Sequence, residues 1–67
     1  TGRIDSDDAL WRLLATLPTR MRTVLVLRYF EDMDDAAIAQ TLGLAVSSVR
    51  STASRALAVL REREGAR

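Results

Sequence analysis

Residues 34–60 decide the fold, and they read DDAAIAQTLGLAVSSVRSTASRALAVL. The first part predicts a short helix, because Ile38 and Leu42 are four residues apart and therefore share a helix face. Asp34 suits the N-cap position, since its carboxylate can accept hydrogen bonds from the free amides of a first turn. Gly43 can adopt the left-handed conformation that ends many helices. We therefore predict a helix over residues 34–42, followed by a tight turn.

A second, longer helix is predicted over about residues 46–63. Its apolar side is formed by Val46, Val49, Ala53, Ala56, Leu57 and Leu60, at helical spacing. Its other side carries arginines and small hydroxyl residues, namely Ser47, Ser48, Arg50, Ser51, Ser54 and Arg55, with Thr52 at the edge. Two helices joined by a short turn that contains glycine are typical of a helix-turn-helix.

The polar side of this second helix has the composition of a DNA-contacting surface. Residues 36–61 contain no acidic residue, so the surface is positive. Small side chains would allow the helix to approach a major groove about 12 Å wide, where arginine can bind guanine through two hydrogen bonds. Serine and threonine can contact phosphates or base edges. The alternative is an ordinary solvated helix surface, and the preceding helix and Gly43 favour DNA contact over it.

Composition narrows the possible functions. The 67 residues suffice for one small domain, which we expect to be a fragment of a longer protein because the chain starts at Thr1. Cysteine and histidine are both absent, which removes thiolate chemistry and the commonest general base and metal ligand. We therefore expect no enzyme activity, no cofactor and no metal site. The longest apolar run, residues 24–27, is too short to cross a membrane, and the expected location is cytoplasmic.

Charge is distributed unevenly along the chain. The net charge is only +1, which predicts weak non-specific affinity for DNA, since that affinity grows with the number of phosphates neutralised. Such a domain would depend on a tether or a partner. Arg20 and Arg22 lie in the first turns of a predicted helix, where they would either meet a phosphate or remain solvated. The acidic run at residues 31–35 lacks the spacing of a calcium loop.

Two further helices are predicted before the helix-turn-helix. The first spans residues 5–17, with Asp5 or Ser6 as its cap. The second spans residues 18–32 and places Pro18 at its first helical position. Their expected core residues are Ala9, Leu10, Leu13, Leu14, Leu17, Met21, Val24, Leu25, Leu27 and Phe30. Trp11 is expected in the core or at its edge, and the alternative is a partner contact.

The predicted fold is all-α, a four-helix helix-turn-helix domain. It resembles the winged-helix-like DNA-binding superfamily without the wing. We expect residues 1–4 to be the end of a linker, residues 5–63 to form the domain, and residues 64–67 to be a frayed tail.

The sequence resembles region 4 of bacterial RNA polymerase sigma factors of the extracytoplasmic-function type. The matching pieces are LPTRMR at 17–22, VLVLRYFED at 24–32, IAxxLG at 38–43, VxxVRS at 46–51 and SRAL at 54–57. Together they cover about residues 10–62. The combination of these pieces is specific, whereas the IAxxLG piece alone is not.

The resemblance implies a function and a set of site residues. In this family the last helix lies in the major groove of the −35 promoter element. The resemblance places Arg50, Ser51, Ser54 and Arg55 on the face that reads bases and contacts phosphates. Arg28 would hold the DNA backbone. With the polar residues of the last helix, the expected DNA-binding set is Arg28, Ser47, Ser48, Arg50, Ser51, Thr52, Ser54 and Arg55. The expected partners are promoter DNA, the β-subunit flap of core RNA polymerase and an anti-sigma factor.

Some positions depart from the family pattern. Ala45 stands where a capping serine or proline is usual, so Ser47 is expected to cap one turn later instead. Ala37 replaces a common glutamate, and Thr52 stands where many relatives have arginine. Asp34 and Asp35 lie where the family approaches a phosphate, and their charge would oppose that contact.

Two other functions were compatible with parts of the pattern. The output domain of a LuxR or response-regulator activator shares the IAxxLG piece, but such domains usually carry a glycine near Phe30 and often a histidine near Thr52. A pure protein-interaction module would use the arginine face to bind an acidic protein, and it would have no salt-dependent affinity for DNA.

Overall fold

The fold is known from a computed structural model, which describes the backbone of residues 2–65 and the side chains of residues 9–63. Within this part of the chain there are four helices and no strand. The helices are α1 (Gly2–Ala15), α2 (Thr19–Tyr29), α3 (Asp35–Leu42) and α4 (Val46–Gly65). The predicted all-α helix-turn-helix class is therefore confirmed. None of the described helices is long and apolar enough to cross a membrane.

Helix α1 differs from its prediction at both ends. It begins at Gly2 instead of Asp5, so residues 2–4 are helical; Thr1 lies outside the described residues. No proline lies in this segment to prevent the extension. The helix ends at Ala15 instead of Leu17, because the amides of Thr16 and Leu17 donate to carbonyls only three residues back, at 3.1 and 3.0 Å. That tighter turn leads the chain into α2.

Helix α2 is shorter than predicted. Pro18 is its N-cap and not its first helical residue, since its ψ is extended at 150° while its carbonyl accepts the Arg22 amide at 3.0 Å. The helix ends at Tyr29, three residues before the expected end. The chain reverses through Asp32, which has a φ of 57° and is one of the few non-glycine residue types that tolerate this conformation. The Met33 amide then donates back to the Leu27 carbonyl at 3.0 Å.

The two ends of α3 form as predicted. Asp34 is the N-cap, and its carboxylate accepts a hydrogen bond from the Ala37 amide at 2.8 Å. Gly43 is left-handed, with φ 71° and ψ 35°. The amides of Gly43 and Leu44 both donate to the carbonyl of Ala39, which satisfies an otherwise free carbonyl at the helix end. These bonds fix the turn between α3 and α4.

Helix α4 contacts all three other helices and organises the core. One group of buried residues joins α2, α3 and the first half of α4: Val24, Ile38, Ala39, Val49 and Ala53. A second group joins the first two helices and their connection to the middle of α4: Leu14, Leu17, Leu25 and Ala56. Because one stripe of α4 is buried in both groups, its opposite face is held outward on a rigid support.

Two aromatic residues lie at the surface instead of the core. Phe30 is 44% exposed, so its predicted core position is wrong; it directly follows the last residue of α2, where the chain leaves the packed helix. Trp11 is 45% exposed and stacks on Phe30, with ring centroids 4.9 Å apart and planes at 25°. Trp11 is therefore an exposed residue that packs on another exposed ring, and its expected place in the core or at its edge is wrong.

The far end of α4 is tied to the connection between α1 and α2. The Arg63 guanidinium donates to the Thr16 carbonyl at 2.9 Å and also to the Thr16 hydroxyl. The helix continues to Gly65, past the predicted end at residue 63, while residues 66 and 67 lie outside the described part. The expected tail at 64–67 is thus helical in its first half.

Candidate nucleic-acid interface

The outer face of α4 carries most of the predicted site residues. Those on its exposed face are Ser47, Ser48, Arg50, Ser51, Ser54 and Arg55. Arg50 and Arg55 are five residues apart, so their side chains leave the helix about 140° from each other, on either side of Ser51 and Ser54. These four residues line a shallow surface hollow. The face therefore presents two cations around a strip of small hydroxyl residues.

Thr52 does not belong to this face. Its side chain is only 5% exposed, because it lies three residues after Val49 and four before Ala56, and both of these are buried. A contact with DNA would require the side chain to leave the core. Its predicted position at the edge of the polar face is therefore wrong, and it is left out of the DNA contacts proposed below.

A carboxylate connects Arg28 of α2 to Arg50 of α4 at the same surface. Asp35, the first residue of α3, places its Oδ1 3.0 Å from Nη1 of Arg28 and its Oδ2 3.3 Å from Nε of Arg50. The Arg50 contact is a hydrogen bond, whereas Oδ1 is buried without hydrogen-bond geometry, so the Arg28 contact is an ion pair only. The Arg28 guanidinium also lies 5.8 Å from the ring centroid of Tyr29.

Sequence spacing does not reveal this cluster. Its three members come from three different helices, and Arg50 is 15 residues from Asp35. Asp35 was expected to oppose a DNA phosphate with its charge. The structure adds that this charge is shared between two of the predicted DNA-binding arginines. A hollow of about 300 Å³ adjoins the cluster, and its lining includes Arg28, Arg50 and Ser54.

Comparison with known proteins identifies the family. The family profile "Sigma-70, region 4" matches residues 7–60. The chain belongs to the sigma-70 region 4 family. Region 4 is a DNA-binding domain of sigma factors and not an enzyme, in agreement with the resemblance found from the residues. The match also decides against the LuxR or response-regulator alternative.

Individual relatives agree with this assignment. The chain is 40% identical over 60 residues to the RNA polymerase sigma factor SigF of Mycobacterium tuberculosis, which covers 90% of this chain and 23% of that protein. It is 43% identical over 53 residues to the RNA polymerase sigma-E factor of Streptomyces avermitilis and to that of Streptomyces coelicolor, covering 79% of this chain and 30% of each relative. The chain thus spans less than a third of the length of these curated relatives.

Helix α4 of this region 4 domain begins without a side-chain cap. Its first main-chain bond runs from the Val49 amide to the Ala45 carbonyl at 3.1 Å, which puts Ala45 at the N-cap position, where a methyl group can accept nothing. Ser47 lies inside the first turn of α4, so the expectation that it caps the helix is wrong. Ser47 is instead exposed on the outer face.

Arg20 and Arg22, at the start of α2, differ in their surroundings. Arg20 is exposed and lines a separate hollow with Thr19, Thr23 and Leu42. Arg22 is half-buried, and its Nη1 lies 3.5 Å from the Ala15 carbonyl. Arg22 therefore interacts with the end of α1, and Arg20 is the more accessible cation of the region 4 domain at this helix start.

Proposed function

We propose that this chain is the promoter-reading domain of a sigma factor, which recognises the −35 element by placing the outer face of α4 in the major groove. The observation that carries the proposal is the exposed strip of Ser51 and Ser54 flanked by Arg50 and Arg55, on a helix held by a helix-turn-helix. Small residues at the centre allow close approach, and arginines at the sides can bind guanine or phosphate.

The proposal extends to Arg28 and the first turn of α4. Ser47 and Ser48 are exposed at the start of the recognition helix, next to its free amides, where a phosphate would be favoured. Arg28 is half-buried at the side of the face and would contact the DNA backbone. Phosphate contacts of this kind position the helix, while the arginines of α4 supply base discrimination.

A second part of the proposal is docking on the β-subunit flap of core RNA polymerase. A partly open apolar hollow of about 400 Å³ lies between α1, α2 and the second half of α4. Leu10, Leu25, Leu57 and Phe30 are among its lining residues. The relatives are named as RNA polymerase sigma factors, which favours polymerase as the occupant. Aromatic residues at a surface hollow are typical of protein interfaces.

The two proposed surfaces use different parts of α4, so one domain can bind DNA and polymerase together. The DNA face uses residues 47–55, and the apolar hollow uses Leu57 and Leu60. A net charge of +1 agrees with this arrangement, since a domain with weak non-specific DNA affinity gains occupancy when polymerase tethers it. An anti-sigma factor that covers either surface would block promoter recognition. The proposed location, with the transcription machinery, is the cytoplasm.

The experiment begins by selecting duplexes from a random-sequence pool with the immobilised chain. Isotope-labelled protein is then titrated with the selected duplex and with a scrambled version, at low and at physiological salt. We expect amide shifts concentrated in residues 47–55, larger for the selected duplex and weakened by salt. No enrichment and no shifts with either duplex would contradict DNA reading and favour the pure interaction module, for which a flap peptide is the next titrant.

A further inference from the structure

The carboxylate of Asp35 occupies the point where two arginines of the proposed DNA interface converge. Its side chain is 18% exposed, against 35% for Arg28 and 71% for Arg50. The Asp35 carboxylate is thus more buried than either cation, and it contacts both of them on the side that faces the protein interior. An incoming phosphate would have to compete with a carboxylate that is already in place.

We propose that Asp35 is a specificity-determining residue, which lowers affinity for arbitrary DNA by holding Arg28 and Arg50 while it leaves base reading possible. The inference rests on the proposed function. Asp35 itself contacts no base. It acts through the positions and the charge of the two arginines.

Counterion release explains the effect on arbitrary sequences. Non-specific binding depends on phosphates neutralised by cations, and each contributes about 0.9 to the dependence of log K on log salt. An arginine already paired with an internal carboxylate gains less from a phosphate, because it must give up or share its partner. Because both arginines are paired with Asp35, the phosphates of a scrambled duplex are attracted by only part of their positive charge.

The contact between Asp35 and Arg50 affects base reading less than it affects non-specific binding. Asp35 accepts its hydrogen bond from Nε of Arg50, the nitrogen nearest to the backbone. The two terminal nitrogens of a guanidinium lie further out and form the part of its fork that extends beyond the helix. Anchoring at Nε therefore restricts the side chain while the terminal nitrogens can still point toward a base. Restricting a long side chain before binding also lowers the entropy lost on binding.

The support for Asp35 is rigid. It is the first residue of α3, and the preceding Asp34 caps that helix through the Ala37 amide. Ile38 of α3 is fully buried beside Val49 of α4. Because the two helices share this core, the distance between the carboxylate and the recognition face is set by packing.

The test compares Asp35→Asn with Asp32→Asn. Both substitutions keep the side-chain shape and change the net charge equally, but Asp32 is exposed in the loop before α3, and asparagine tolerates its positive φ. Dissociation constants for the selected and the scrambled duplex are measured by fluorescence anisotropy over a series of salt concentrations. For Asp35→Asn we expect about five-fold tighter binding of the scrambled duplex and a salt slope steeper by up to about 2, one unit for each released arginine.

Binding of the selected duplex should tighten much less, so the ratio of the two affinities should fall by about three-fold or more. Asp32→Asn should leave that ratio near the wild-type value. Equal changes in the two variants would overturn the inference, because net charge alone would then explain them. A wild-type chain that binds the selected and the scrambled duplex equally well would contradict the proposed function itself, which distinguishes that failure from a failure of the role given to Asp35.

Folding is checked by circular dichroism on each variant. Asp35→Ser serves as a second variant, because it also removes the charge while the Asp34 cap of α3 stays in place. It should show the same fall in the affinity ratio. A folded Asp35→Ser variant with a wild-type ratio and salt slope would show that the ion pairs are structural only.

Discussion

The indole of Trp11 lies on the ring of Phe30, with centroids 4.9 Å apart, and joins α1 to the end of α2 at the molecular surface. Both rings remain nearly half exposed. An offset stack of this kind stabilises a pair by about 0.5–1.5 kcal/mol beyond the area that it buries. Much of the apolar surface of the two rings nevertheless faces solvent, and Phe30 lines the apolar hollow proposed for polymerase.

Truncation of this pair should separate polymerase binding from DNA binding. Trp11→Ala and Phe30→Ala should each weaken binding to the β-subunit flap by more than about 1 kcal/mol, the range of residues central to an interface. Affinity for the selected duplex should change little, since both rings lie outside residues 47–55. Flap binding is measured by calorimetry and DNA binding by anisotropy. Equal losses in both assays would point to a general folding defect, which thermal unfolding of each variant would reveal.

On the proposed DNA face of α4, Arg55→Ala should reduce DNA affinity. If Arg55 reads a base, the loss should be about 1–3 kcal/mol on the selected duplex with relaxed sequence preference at one position. If it contacts only phosphate, both duplexes should weaken alike and the salt slope should fall by about 1. Arg61→Ala is the matched control, because Arg61 is an exposed arginine of the same helix about 9 Å further along the axis. An Arg55 variant that behaves like the Arg61 variant would contradict the assigned face.

Arg50→Ala should have the same kind of effect with one difference. Removal of the Arg50 side chain leaves Asp35 with Arg28 as its ion-pair partner, so less positive charge lies beside the partly buried carboxylate. We therefore expect a loss of about 1–3 kcal/mol in binding the selected duplex and a further loss of up to about 1 kcal/mol in folding stability. Urea unfolding separates the second effect from the first. Unchanged affinity for both duplexes would remove Arg50 from the interface.

The parts of the fold that could be predicted depend on local chemistry. Asp34 and Gly43 act on amides and carbonyls within a few residues of themselves, so sequence spacing suffices to place them. The buried stripe of α4 is likewise visible from its periodicity. Thr52 shows the limit of this reasoning: its hydroxyl suggested the polar face, whereas the direction of its side chain follows from the burial of Val49 and Ala56.

The parts that could not be predicted depend on contacts between helices. The Arg28–Asp35–Arg50 cluster exists only because α2, α3 and α4 share a core. Phe30 has the apolarity of a core residue, but α2 ends just before it and the chain then reverses at the left-handed Asp32. Residue type alone predicts neither the cluster of charges nor the exposure of Phe30.

Gly43 provides a test of the helix-turn-helix joint. Gly43→Ala should lower the free energy of unfolding by about 1–2 kcal/mol, because an L-residue resists a φ of 71°. Apart from its chain neighbours, a Cβ at this position would meet no atom within 4 Å, so the cost comes from the local backbone conformation and not from a clash with another part of the fold. Gly43→Asn is the control, since asparagine accepts this conformation more readily and should cost less. Equal losses for alanine and asparagine in urea unfolding would contradict the conformational explanation.

The uncapped start of α4 predicts a stabilising substitution. Ala45→Ser would supply an oxygen that can accept from the amides of Ser47 or Ser48, and it should raise the free energy of unfolding by about 1 kcal/mol. In a domain of this size such a gain raises the Tm by about 4–8 °C. Ala58→Ser is the matched control: Ala58 is exposed within α4, where serine is a poorer helix former than alanine and should be neutral or slightly destabilising. The urea midpoint should rise for Ala45→Ser with an unchanged m-value. Equal stability of the two serine variants would contradict the capping explanation, because a serine at position 45 would then satisfy no free amide of the first turn.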